Sequence, residues 1–128
     1  MTLTREQVLE MDAGREMDVL VMEKIFNAEK RYYGDEEVWY HHDSNGLPDY
    51  EWSFHNSPST DISAAWEVLE QFPLMICERV EIFAGHVTVN ATIYPTSDSE
   101  KAHTATASNA PLAICRAALL AALEEESA

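Results

Sequence analysis

The stretch from residue 29 to 58 gathers Tyr32, Tyr33, Trp39, Tyr40, Tyr50, Trp52 and Phe54 with His41, His42 and His55 and the acids Asp35, Glu36, Glu37, Asp43 and Asp49. Flat aromatic faces stack on nucleobases, and imidazoles hydrogen-bond sugars and phosphates, so this composition suits a small nucleotide-like ligand. Trp39, Tyr40, His42 and Trp52 are the candidate ligand-binding residues in the stretch. Arg116 joins them as a guanidinium among apolar neighbours, a setting in which it needs a carboxylate or phosphate partner. Each also has a plainer role, and the plainer role comes first. Aromatics bury enough area to pin a long loop onto a small core, and Arg15, Arg79 and Arg116 have abundant acids to pair with internally.

Other chemistries lack a local anchor. His41, His42, Asp43 and His55 are acceptable metal ligands, but adjacent histidines on a strand face opposite ways and no HExxH pattern occurs, so no metal site is expected. The Glu36-Glu37 pair reads as a solvated charge run. There is neither a GxSxG elbow nor a glycine-rich phosphate loop, so we expect no catalytic residues, no cofactor and no enzyme.

The elements that must position these residues follow from local signals. Thr4-Arg5-Glu6-Gln7 has capping-box spacing and starts a short helix. Met17, Leu20, Val21, Lys24 and Ile25 recur at helical spacing and predict a helix over about residues 14 to 28, with Arg15, Glu16, Asp18 and Glu23 mostly off the apolar stripe. Glu29 to Ser59 reads as a mostly irregular insert. Within it, Val38-Trp39-Tyr40 and Tyr50 to Phe54 can pair as a hairpin around Asn45-Gly46. A helix capped at Ser59, Thr60 or Asp61 carries Ile62, Ala65, Trp66, Leu69 and Phe72 on one face and ends before Pro73. Strands are predicted over Met75 to Phe83, Val87 to Tyr94 and Ala102 to Ala107, and a largely apolar helix from Leu112 to Leu123. The order predicts an α+β fold, a layered α/β/α sandwich with a three-stranded, mainly antiparallel sheet in a single domain spanning 1–128.

Composition narrows the function classes. With 8 basic against 23 acidic residues in 128, the net charge of −15 repels phosphate backbones and anionic membranes, which excludes general nucleic-acid binding and leaves a basic protein as a fitting partner. No stretch reaches the ~18 to 20 uninterrupted apolar residues of a membrane span. Cys77 and Cys115 lie apart in apolar surroundings and are expected to be buried thiols. A place in the cytoplasm fits both observations.

Three stretches together carry a family resemblance: Ala13-Gly14-Arg15-Glu16-Met17-Asp18-Val19-Leu20-Val21-Met22-Glu23, Ser59-Thr60-Asp61-Ile62-Ser63-Ala64-Ala65-Trp66-Glu67-Val68, and Ala110-Pro111-Leu112-Ala113-Ile114-Cys115-Arg116-Ala117-Ala118-Leu119-Leu120. In this combination the chain resembles the phage ABA sandwich family, least so over the insert. Ile25-Phe26-Asn27-Ala28 departs from the Gly-Trp found in many relatives. The resemblance implies an αβα layered fold, an origin in a phage or prophage genome, and no reaction. Joined to the aromatic insert, it leads first to a non-enzymatic protein that binds and sequesters a small nucleotide-derived host defence signal in the host cytoplasm. The alternatives are an acidic interaction protein that blocks a basic host factor, and a homo-oligomeric accessory protein.

Overall fold

The structure is a computed structural model and describes residues 4–41, 50–53, 56–72, 74–83, 86–94 and 102–127. The capping box forms as its spacing predicts: Gln7 N donates to Thr4 Oγ1 at 3.2 Å, Thr4 N donates to Gln7 Oε1 at 2.8 Å, and α1 runs Arg5–Glu10. Helix α2, Arg15–Lys24, starts at Gly14, whose φ of 155° favours a residue without a Cβ. It stops short of the predicted residue 28 because Asn27 turns left-handed, φ 52°, and Ala28 N closes the end on Met22 O at 3.0 Å.

The described part of the insert is largely regular, which corrects its reading as a mostly irregular excursion. Strands β1 (Glu29–Tyr33), β2 (Glu36–His41) and β3 (Tyr50–Ser53) form an antiparallel three-stranded sheet. Gly34, φ 66°, opens the two-residue turn between β1 and β2, where a positive φ matches the twist of the flanking strands. The predicted pairing of these two pieces is present, with Trp39 opposite position 52 and Tyr40 opposite Glu51. The Asn45-Gly46 turn lies outside the described residues.

Helix α3, Ile62–Leu69, is capped by Asp61, whose carboxylate accepts from Ser63 N at 2.9 Å. Its buried residues are Ala64, Ala65, Val68 and Leu69, so the expected apolar face is rotated and Ile62 and Trp66 stand in solvent. Strands β4 (Leu74–Phe83), β5 (His86–Tyr94) and β6 (His103–Ala107) make the predicted antiparallel sheet in the order β4-β5-β6. Alternation along β5 buries Val89, Ala91 and Ile93 and turns Thr88, Asn90 and Thr92 to the other face, where Thr92 and Thr104 share a 2.9 Å hydrogen bond.

Helix α4, Ala110–Ser127, is buried nearly all round from Leu112 to Ala122, the pattern of a helix inside a core. It lies over β5 and β6 and also packs against α1, α2 and α3. The result is the expected α+β sandwich, with a second small sheet added. Because α4 barely reaches the edge strand β4, Cys77 is exposed, which corrects its expected burial; Cys115 is buried as expected.

Candidate functional site

The structure draws the sequence-based candidates in different directions. Trp39 is 1% exposed and belongs to the main hydrophobic core together with Met22, Phe26 and Ala28. Tyr40, on the opposite face of β2, is 8% exposed, and the Arg31 guanidinium carbon sits 3.6 Å from its ring centroid. That stack is a cation–π contact, and Arg31 is steered into it by Glu29, whose Oε1 accepts from Nη2 at 2.7 Å and from Nε at 3.1 Å. The backbone of Trp52 pairs with Trp39 in the sheet, while its side chain and all of His42 lie outside the described residues.

Arg116 is held at a different junction. Its Nε and Nη2 donate to Met11 O at 3.2 and 2.9 Å, and Nη1 donates to Thr106 O at 2.9 Å. The partners are carbonyls, not the carboxylates expected for an internal arginine. The guanidinium thereby ties the chain after α1, 105 residues away in sequence, to the end of β6. Arg116→Met, which keeps the stem and removes the donors, is expected to cost about 1–2 kcal/mol of stability, read from the urea midpoint.

Two features escaped sequence reasoning. Asp18 is 4% exposed although it falls off the apolar stripe of α2. Its Oδ1 accepts from Ser59 N at 2.8 Å, and the wholly buried Ser59 uses its hydroxyl to accept from Gly14 N at 3.0 Å and donate to Gly14 O at 3.3 Å. Burial pushes the Cys115 thiol well above its ordinary value, and the Asp18 carboxylate pushes it further the same way. The usable signal was that Gly14, Asp18 and Ser59 all occur in the stretches that carry the family resemblance. The other feature is the pair of exposed large side chains on α3, Ile62 at 52% and Trp66 at 50%.

No three of His, Cys, Asp and Glu gather around a common point among the described residues, and none of the described helices is long and apolar enough to cross a membrane. The described side chains sit on a frame of helices and sheets packed around one core. Gly14, Asp18, Ser59 and Arg116 work as fasteners of that frame, each closing contacts between distant segments.

The family model for the phage ABA sandwich domain matches residues 8–119. The chain belongs to that family. A 2.0 Å crystal structure of a phage protein from Bacillus cereus ATCC 14579 shares the fold, with a TM-score of 0.53 at 18% identity over 94% of this chain and 89% of that one. No curated protein matches the chain. This phage ABA sandwich chain thus shares its fold with a second phage protein across nearly its whole length.

Proposed function

We propose that this phage domain acts without catalysis, as an acidic interaction protein that covers a basic surface of a host protein in the host cytoplasm. The observation that carries the reading is the net charge of −15. It is displayed outward: Glu6, Glu16, Glu29, Glu36 and Glu78 are exposed on α1, α2, β1, β2 and β4. A field of one sign over most of a small domain speeds encounter with an oppositely charged partner and rejects nucleic acid. Three of the five residues first considered for a ligand support this choice indirectly, since Trp39 and Tyr40 are buried and Arg116 is held by carbonyls.

The test is affinity capture of host proteins on the purified domain at low and at high salt, beside a variant carrying Glu6→Gln, Glu10→Gln, Glu16→Gln and Glu23→Gln. A basic host protein retained at low salt, released by salt and lost with the variant supports the reading. A partner indifferent to both, or none at low salt, overturns it.

A second reading, sequestration of a nucleotide-derived defence signal, keeps one specific observation in its favour. Arg31, exposed on β1 and stacked on Tyr40, places a cation over an aromatic ring at the surface of an otherwise acidic molecule. Mass spectrometry of small molecules released from protein purified with and without phage infection decides it. A stoichiometric nucleotide that disappears in Arg31→Ala supports sequestration; protein that carries none under infection removes this reading.

A further inference from the structure

Helix α3 faces the core through Ala64, Ala65, Val68 and Leu69 and rests on α4, so its backbone is a fixed platform. Ile62 and Trp66, one helical turn apart, adjoin that buried arc on the solvent side and stand as neighbours on the helix surface. Single exposed apolar residues are ordinary, but two large ones side by side, each about half exposed, form a patch. Tryptophan is also the residue most enriched where binding energy concentrates, because one rigid side chain fills a whole pocket.

Charge sets the chemistry of what fits there. From residue 57 to 72 the chain has three acids, Asp61, Glu67 and Glu70, and no lysine, arginine or histidine. Around the helix the sequence of positions runs from Ile62 and Trp66 to Glu70, Ser63 and Glu67. An apolar pair bordered on one side by carboxylates is complementary to a partner with an apolar pocket bordered by basic side chains. It also disfavours a second copy of this chain, whose own α3 would bring like charges together.

We infer that the Ile62 and Trp66 face of α3 is the docking surface for a basic protein partner, with Trp66 as the anchor that enters the partner's pocket. The inference rests on the protein-partner reading and assigns it a site. Leu69 and Val68 hold the helix in place, and Glu70 selects the charge of the partner's rim.

Site-specific photocrosslinking in infected host cells tests it, with p-benzoylphenylalanine placed in separate variants at positions 66, 32 and 78. The expected result is an adduct from position 66 to one protein that mass spectrometry identifies as basic. The purified partner should then bind the unmodified domain at least tenfold more tightly than Trp66→Ala or Ile62→Ala, with both variants melting near the parent temperature. Trp66→Phe should recover part of the loss. If the same basic partner crosslinks only from position 32 or 78, or binds Trp66→Ala as well as the parent, the α3 assignment is wrong while the protein-partner reading stands. No adduct from any of the three positions overturns both.

Discussion

Trp39→Ala is expected to lower the free energy of unfolding by about 3–5 kcal/mol, a large share of the ~5–15 kcal/mol that holds a domain of this kind together. The indole is among the largest side chains that the fold buries completely, so truncation removes its transfer energy and leaves a cavity the neighbours only partly fill. Its position adds to the effect. Trp39 lies at the centre of the β1-β2-β3 sheet, opposite Lys30 on one side and position 52 on the other, and among the described side chains of β2 it is the one that belongs to the main core cluster. Hydrogen exchange should therefore show the amides of β1 and β2 losing more protection than those of α4. A loss below about 1 kcal/mol in urea unfolding would mean that the first sheet is not held to the core through this residue.

The second large effect is expected at Asp18. Replacing it with alanine leaves the amide of the fully buried Ser59 without its 2.8 Å acceptor, and the cost is about 1.5–3 kcal/mol. Asp18→Asn keeps an acceptor oxygen and is expected to cost less, separating the hydrogen bond from the charge. The Asp18 carboxylate also adds to what keeps the buried Cys115 thiol protonated. In the parent, the folded thiol keeps its proton above the ordinary value of 9.0, where the unfolded chain ionises. The unfolded state then binds fewer protons, so stability is full below about pH 9 and falls above it by about 1.4 kcal/mol per pH unit. Removing the Asp18 charge lowers the folded value and narrows the window of decline, while burial, the larger cause, keeps the decline present. Cys115→Ala should abolish this component of the alkaline loss. Unfolding curves from pH 7 to 10.5 check the decline in the parent and its loss in Cys115→Ala, while the Asp18 variants keep the parent's slope over that range because burial still holds the folded thiol above it.

Legibility in the sequence tracked how local each cause was. The box at Thr4 and Gln7 spans four residues, and β5 announces itself by strict alternation, so both are readable without tertiary knowledge. Strand β1, Glu29-Lys30-Arg31-Tyr32-Tyr33, carries three charges and no apolar alternation; pairing with β2 makes it a strand. Helix α3 was legible as a helix, but its buried face was not. Counting apolar residues centres the face near Leu69, with Ile62 and Trp66 inside it, whereas packing on α4 turns the buried face toward Ala64 and Val68. Asp18 is buried because Ser59, 41 positions later, supplies a donor, and Arg116 found carbonyls because Met11 and Thr106 converge on it. The family was legible because the three matching stretches lie in α2, at the start of α3 and in α4, the parts least dependent on the insert.

Helix α4 touches both the second sheet and the three earlier helices, yet it follows all of them in the chain. During synthesis, α1, α2, α3 and the strand pair β4-β5 emerge with their apolar faces uncovered, because the helix that covers them is still inside the ribosome. Stable closure is thus delayed until the segment after Ala110 is released, and the order of synthesis and the order of stabilisation run in opposite directions. Nascent chains halted before that segment should be the form of this protein most exposed to chaperones and proteases.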